Sequence, residues 1–335
     1  MAYQQVVELR FVLELFFLLL FFSRLFGLLC LFLGPAFVPR RRLSLLPFPF
    51  GTARPFIRPH LLAAGIALFA ISLVPRSRLT RAGAVISLFA AIFPFVFLPT
   101  PATGGGGSQF TIISANVLSD NRNPRPFLSI PEVASSDIVV LQEMRPVWQD
   151  ALVKSGLWRF ESSRDLRANT DMKVFSRFPI ISEQVVSQAS RDTGGRHPLR
   201  LELLIEDRQV ILYAVHAQTP RRPSMWRERA AYYRDLTQAL LQEDGDAAVV
   251  IAGDWNMPPW SPFFQDFLAE TGYRTTESAW WPSPTRFSTR FGNIPALGTP
   301  IDRIVISPNM GLASLGLGPR FQSNHLPVIA RLTLP

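Results

Sequence analysis

The chain has 335 residues, 48% of them hydrophobic, with a formal net charge of +9 and a single cysteine, Cys30. That length admits one large domain or two, a mean hydropathy of +0.18 argues against a wholly soluble protein, and one cysteine excludes an intrachain disulfide. Residues 1–107 hold ten Arg against two Glu, a net of +8, which leaves 24 basic and 23 acidic residues, a net of +1, for the rest. The basicity therefore bears first on membrane topology and gives little support to a polyanion-binding surface on the second part.

From Phe11 to Leu33 the chain is nearly continuous Leu and Phe, broken mainly by Glu14, Ser23, Arg24 and Gly27. It is long enough to cross a bilayer, and it is too long for a signal peptide, with an internal Arg and no small-residue cleavage pattern. Two further apolar runs, Leu61 to Val74 and Ala82 to Leu98, complete a membrane domain over residues 1–99 with three expected transmembrane helices. Arg76, Arg78 and Arg81 in the short loop between the last two runs belong in the cytoplasm by the positive-inside rule, which places everything after Leu98 outside. Arg40, Arg41, Arg42, Arg54 and Arg58 in the preceding loop argue the other way, but the short loop is the tighter constraint. Residues 100–108, ending in Gly104-Gly105-Gly106-Gly107-Ser108, read as a flexible tether.

From Gln109 to Pro335 strand-like runs alternate with amphipathic stretches. Strands are expected at Phe110–Ser114, Ile138–Gln142, Met172–Phe175, Gln184–Ser187, Leu199–Ile205, Val210–Val215, Val249–Ala252, Ile301–Ile306 and Leu326–Leu332. Helices are expected at Val147–Ser155, at Ser224–Gln242 with Ser224 as its N-cap, and at Pro262–Thr271. The mixture predicts an α/β sandwich.

Chemistry collects at the strand ends. Asn116 follows the first strand, Glu143 ends the second, His216 ends Leu212-Tyr213-Ala214-Val215, Asp302 opens a late strand, and Asn324-His325 precede the last. The central run Ala248–Ala252 leads through Gly253 to Asp254-Trp255-Asn256. Residues two apart in extended chain point the same way, so Asp254 and Asn256 would converge on one point. Gly, Asp, Asn and Pro also form turns, and each residue alone reads more readily as a turn former or a surface carboxylate. Six strand ends bearing Asn, Glu, His or Asp are harder to attribute to turn preference. His197, beside a Pro, and His60, at a membrane boundary, read as structural.

Asn116, Leu141-Gln142-Glu143, Phe175-Ser176-Arg177-Phe178-Pro179-Ile180, Val215-His216, Gly253-Asp254-Trp255-Asn256, Ile301-Asp302-Arg303-Ile304 and Ser323-Asn324-His325-Leu326-Pro327-Val328 occur in the order found in the endonuclease/exonuclease/phosphatase superfamily. Residues 109–335 resemble that family, and the front end resembles a bacterial subgroup in which three membrane helices precede an extracytoplasmic domain of this type. The resemblance implies a four-layer α/β sandwich, deoxyribonuclease I-like, that hydrolyses phosphoesters with Mg²⁺ or Mn²⁺. It implies Glu143 as the principal metal ligand with Asn116 beside it, and Asp254 and Asn256 as the residues that orient water and a phosphate oxygen. His325, held by Asp302, would be the acid/base imidazole, and His216 a second imidazole on the phosphate. The position before the last His is usually Asp, a second metal-site carboxylate. Here it is Asn324, which ligates through oxygen but brings no charge, so a catalytically impaired membrane-anchored binding module is an alternative reading.

Arg221 and Arg222, just after His216, or Arg191 and Arg196, before His197, are placed to meet a small anionic group. The membrane tether and the aromatics Trp255, Trp260, Trp280, Trp281, Phe287 and Phe291 favour a lipid-linked phosphate or pyrophosphate over nucleic acid, unless those rings are ordinary core. The expected setting is the bacterial inner membrane, with the bilayer as partner and the catalytic domain outside.

Overall fold

The computed structural model describes residues 107–163, 171–186, 196–277, 283–288 and 298–335. The three apolar runs of the expected membrane domain and most of the tether lie outside the described residues. Among those described, no helix is long and apolar enough to cross a membrane.

The strands are β1 (Gln109–Asn116), β2 (Ile138–Gln142), β3 (Phe160–Glu161), β4 (Lys173–Ser176), β5 (Ile180–Val185), β6 (Leu199–Ile205), β7 (Arg208–His216), β8 (Ala248–Asp254), β9 (Arg274–Thr275), β10 (Asp302–Ile306), β11 (Gly311–Leu317) and β12 (Val328–Thr333). The helices are α1 (Arg125–Leu128), α2 (Pro131–Ser135), α3 (Pro146–Ser155), α4 (Pro223–Leu240) and α5 (Pro262–Thr271). The strands form two six-stranded mixed sheets, ordered β11-β12-β1-β2-β4-β3 and β5-β6-β7-β8-β10-β9.

Side-chain parity explains the layering. On β1, Phe110 and Ile112 join a core that also takes Val210 and Leu212 of β7 and Val250 and Ala252 of β8, so this core lies between the sheets. The alternate residues Ile113 and Ala115 pack outward with Phe127 of α1, Val133 of α2 and Trp148 of α3. On the other sheet Val249 and Ile251 pack outward on Tyr232 and Leu236 of α4 and Phe264 and Phe267 of α5. Both faces of each central strand are covered, which is why β2 and β8 read as unbroken apolar runs. The result is helix, sheet, sheet, helix, the expected four-layer sandwich.

The expected strands at 138–142 and 199–205 and the helix at 262–271 match the observed bounds. Of the strand expected at Gln184–Ser187, Ser187 lies outside the described residues; the described strand is Ile180–Val185, an edge strand bonded on one side only, to β6. Ser224 is not a cap: the N-cap of α4 is Arg222, in extended backbone and with no side-chain cap bond, and Pro223 takes the first turn. Proline fits there because its missing N–H would have no partner inside the helix.

Gly253 is where the central strand meets its neighbour most closely. It pairs with Val215 in the parallel β7/β8 register, its φ is 153°, and a Cβ there would stand 1.8 Å from the Val215 carbonyl oxygen. No small shift of a side chain relieves a clash with backbone. Gly272, at the end of α5, has φ 74° with nothing within 4 Å of an added Cβ. We predict that Gly253→Ala destabilises the domain by about 2 kcal/mol or more, and Gly272→Ala by only about 1 kcal/mol from its left-handed backbone. Denaturant unfolding of the two variants checks this, and equal losses would remove the close-approach explanation.

Candidate active site

The same parity aims the strand-end side chains at one place. Asn116 continues the Phe110, Ile112 series, His216 the Val210, Leu212, Ala214 series, and Asp254 the Val250, Ala252 series, all on the inter-sheet faces. In the ladders His216 pairs with Asp254, Asp254 with Asp302, and Asn116 with Gln142, the residue before Glu143. Asn116, His216, Asp254, Asp302 and His325 are all buried.

The contacts are dense. Asn116 Nδ2 donates to Glu143 Oε1 at 3.0 Å and to Asp254 Oδ2 at 3.1 Å, while its Oδ1 accepts from Leu118 N–H. Ser119 N–H donates to Glu143 Oε2 at 2.9 Å. His216 Nε2 lies 3.9 Å from Glu143 and 3.7 Å from Asp254. His325 Nδ1 lies 2.8 Å from Asp302 Oδ2, which also accepts from the Thr285 hydroxyl at 2.6 Å. Ser323 ties the last loop to the first strand by donating to Asn116 O at 2.7 Å and accepting from His325 N–H at 3.0 Å. Leu118, Glu143 and Asn256 around the site have φ of 63°, 58° and 48°, a conformation uncommon for non-glycine residues and least favourable for a residue such as Leu118.

Asn256 departs from the simple expectation. Its positive φ takes it out of the strand, so it does not lie parallel to Asp254. Its N–H instead donates to Asp254 Oδ1 at 2.8 Å, and its amide bonds Ala217 O and the Thr219 hydroxyl, both at 2.9 Å. The residue thus buttresses Asp254 and the segment after His216.

Burial is the largest influence on each acid and raises its pKa. At Glu143 the Asn116 and Ser119 hydrogen bonds and then His216 outweigh it, and the carboxyl is held below the usual value. At Asp254 burial and the facing Asp302 prevail over His325 and His216, and the carboxyl is pushed up. Burial opposes the charged form of His325, but Asp302, by charge and hydrogen bond, and then Asp254 hold that imidazole above its usual value.

Asp254, Asp302 and His325 offer ligand atoms within 4.8 Å of one another. The donor chemistry suits a hard divalent cation: the Asp254 and Asp302 carboxylates face each other and the Asp254 carboxyl is pushed up, while in the loop before His325 the buried Asn324 Oδ1 has no hydrogen-bond partner among the described residues.

Sequence reading missed several participants. Asp171 accepts at 2.8 Å from His216 Nδ1, and Arg196 donates to His216 Nε2 at 2.6 Å and pairs with Asp171 at 3.1 Å. Of these, Arg196 is among the basic residues that the sequence offers for an anion, while Asp171 and Thr285 stand in loops with no pattern to mark them. Arg221 and Arg222 are exposed, and no described contact joins them to these side chains. Arg303, fully buried, lies on the opposite strand face from Asp302. It donates to Met257 O at 2.7 Å, Pro300 O at 2.8 Å and Glu277 Oε1 at 2.6 Å. Trp255, Trp260 and Phe287 are 0%, 5% and 6% exposed, so they are core and form no lipid-facing surface. Trp280, Trp281 and Phe291 lie outside the described residues.

Two mixed sheets in a four-layer sandwich, with acids, amides and imidazoles gathered at one end, define a hydrolase of phosphoric esters. The sequence matches the Endonuclease/Exonuclease/phosphatase family over residues 113–325, and the chain belongs to that family, whose enzymes use divalent metal ions. Among solved structures it is similar to a humanized D. rerio TDP2, at 19% identity and a TM-score of 0.53 over 67% of this chain and 99% of that one. It is also similar to an endonuclease/exonuclease/phosphatase from Beutenbergia cavernae, at 18% and 0.50 over 68% and 72% of the two chains. A third is beta toxin from Staphylococcus aureus, at 16% and 0.51 over 66% and 99%. At these identities the likeness establishes the fold alone. No curated protein matches the sequence.

Asp171 gives a pH prediction. Burial raises its pKa, but His216 and Arg196 together lower it further, so the folded value lies below the ordinary 3.8. Such a group contributes stability that is fully present above the unfolded pKa and is lost as pH falls through the folded one. The deficit of Asp171→Asn relative to the unchanged protein should be flat from about pH 7 to 5 and shrink below about pH 4. A deficit that keeps its size in acid would mean that Asp171 is not held as a charged partner.

Proposed function

We propose that this chain is a divalent-metal-dependent phosphoesterase, anchored in the bacterial inner membrane with its catalytic domain outside, which hydrolyses a small or lipid-linked phosphoester by water attack at phosphorus. The observation that carries the reading is the buried set Asp254, Asp302 and His325, joined through Asn116 to Glu143.

Glu143 and the free Asn324 oxygen would hold Mg²⁺ or Mn²⁺, with Asn116 fixing the Glu143 carboxylate. The ion, when bound, supplies Lewis-acid polarisation of a phosphoryl oxygen. Asp254 orients the attacking water and takes its proton, a role suited to a carboxyl whose pKa is pushed up, and Asn256 holds Asp254 in place. His325, whose charged form Asp302 favours, would face the charge that develops on phosphoryl or leaving-group oxygen. His216 donates through Nδ1 to Asp171, which fixes the tautomer with Nε2 as acceptor for Arg196. Of the arginines that the sequence offers for an anion, Arg196 is thereby the one able to exchange that nitrogen for a phosphate oxygen, in place of the exposed Arg221 and Arg222. The near-neutral charge of residues 108–335 supports a small or lipid-linked substrate over nucleic acid.

A panel of DNA, phospholipids, isoprenyl pyrophosphates and sugar phosphates, offered with Mg²⁺ or Mn²⁺, tests the reading. Turnover of DNA alone would move the assignment to a nuclease, and no turnover at all would favour a binding module. Reporter fusions at Ser108 test the topology: activity only of the cytoplasmic reporter would invert it.

Glu143→Gln, Asp254→Asn and His325→Ala should each remove nearly all hydrolysis while the fold persists. Because the three act as one unit, the triple variant should be scarcely slower than the worst single one. A triple loss equal to the product of the single losses would separate them into independent sites.

Asn324→Asp should tighten Mg²⁺ binding. A close opposite pair gains about 4 kcal/mol at an effective dielectric near 20, and part of that is lost in removing the new carboxylate from water. Each 1.4 kcal/mol or so that survives is a ten-fold fall in the Mg²⁺ concentration for half-maximal rate. An unchanged half-maximal concentration would place Asn324 outside the coordination sphere.

A further inference from the structure

On the outer face of the second sheet, α4 and α5 leave an open groove of about 320 Å³ between them. No active-site side chain lines it. Its α4 wall carries Arg229, Arg234 and Trp226, and its α5 wall carries Phe263, Asp266 and Glu270. Arg229 stands out because it is 5% exposed and, among the described residues, pairs with no carboxylate. Its guanidinium donates to the Asn256 carbonyl at 3.2 Å and lies 4.9 Å from the centre of the Trp226 ring. Burial lowers its pKa to about 10, with Tyr233 acting the other way. A guanidinium has five N–H donors in a planar fork suited to an oxyanion, and burial without an anion is costly.

We propose that this groove binds a small organic monoanion with a flat apolar body, its carboxylate or singly charged phosphate meeting Arg229. The walls select for that chemistry. Trp226 and Phe263 meet edge to face at 5.1 Å and offer an apolar surface for a ring or short chain. Arg234, exposed and lining the same groove, adds a second cation to its α4 wall. Asp266 and Glu270 on the facing wall oppose each negative charge brought in, a cost that grows with ligand charge and so favours a monoanion over nucleic acid or polyphosphate. The volume lies at the low end of the roughly 300–1,000 Å³ of small-molecule sites. The groove also reports to the catalytic end: the carbonyl that Arg229 holds belongs to Asn256, whose φ is 48° and whose N–H holds Asp254. A ligand that draws on Arg229 therefore acts on the residue that buttresses Asp254.

The test uses the full-length protein in detergent, titrated calorimetrically with benzoate in the presence of a metal chelator, with benzyl alcohol as the uncharged control and pyrophosphate as the polyanion control. Benzoate should bind saturably with one site, at least ten-fold more tightly than either control. Arg229→Gln should abolish the binding and Arg229→Lys retain part of it. Arg234→Gln, at an exposed position where substitution costs little stability, should weaken it several-fold and leave basal turnover of a phosphodiester unchanged. With divalent metal restored, benzoate should alter turnover without raising the KM for that phosphodiester. Equal affinity for benzoate and benzyl alcohol, unchanged affinity in both Arg234→Gln and Arg229→Lys, or purely competitive inhibition would each overturn the proposal.

Discussion

The Asn116 amide nitrogen donates both to Glu143, just beyond β2 of one sheet, and to Asp254, at the end of β8 of the other. Two sheets packed face to face are held by apolar contacts that are non-directional, and such contacts alone tolerate sliding. A pair of charge-assisted hydrogen bonds from one buried donor does not, because each carboxylate must stand within about 3 Å of the same nitrogen. Asn116 is itself fixed by Leu118 N–H on its oxygen and by Ser323 on its carbonyl. Asn116 thus fixes the inter-sheet register at the catalytic end together with His325 on Asp302 and His216 on Asp171, and the loop bearing His325 is tied to it through Ser323.

Charge sets the second constraint. Asp254 and Asp302 face each other across an antiparallel pair, where like charges are destabilising. The site answers with His325 on Asp302, Thr285 donating to the same carboxylate, and His216 near Asp254. That answer is incomplete at Asp254, whose carboxyl is still pushed up. A residual excess of acid, with Asp254 and Asp302 offering ligand atoms within 4.8 Å of each other, is the arrangement that a divalent ion completes.

The parts legible in sequence were those that parity and apolar runs encode. β2 and β8 are covered on both faces, so their composition is unambiguous and the polar residues at their ends mark the site. β6 instead alternates buried Leu with half-buried Arg200 and Glu202 and is legible by its period of two. What escaped was of two kinds. β11 is half exposed with a Gly at each of two positions, and β3 and β9 have two residues each, too little for a period to register. Asp171 and Thr285 act through tertiary contacts from loops, where spacing carries no information about which strand end they meet. The pairing of Asp254 with Asn256 was read from strand parity, and the left-handed turn at Asn256 replaced it with a backbone hydrogen bond to the same carboxylate.

That turn shows how the outer layers act on the chemistry. Three non-glycine residues around the site hold positive φ, and at Asn256 the enforcing contacts can be traced. Thr219 and Ala217 fix its side chain from β7's end, and Arg229 of α4 holds its carbonyl. Arg303 of β10 bonds the next carbonyl, Met257, while stacking 4.2 Å from Phe264 of α5. Both arginines are buried, and both spend donors on main-chain carbonyls that a loop would otherwise turn to water. Apolar packing of α4 and α5 on the sheet keeps water out, which strengthens those bonds and makes them costly to break. The position of Asp254 is thus determined by the helical layer behind it as well as by the strand that carries it.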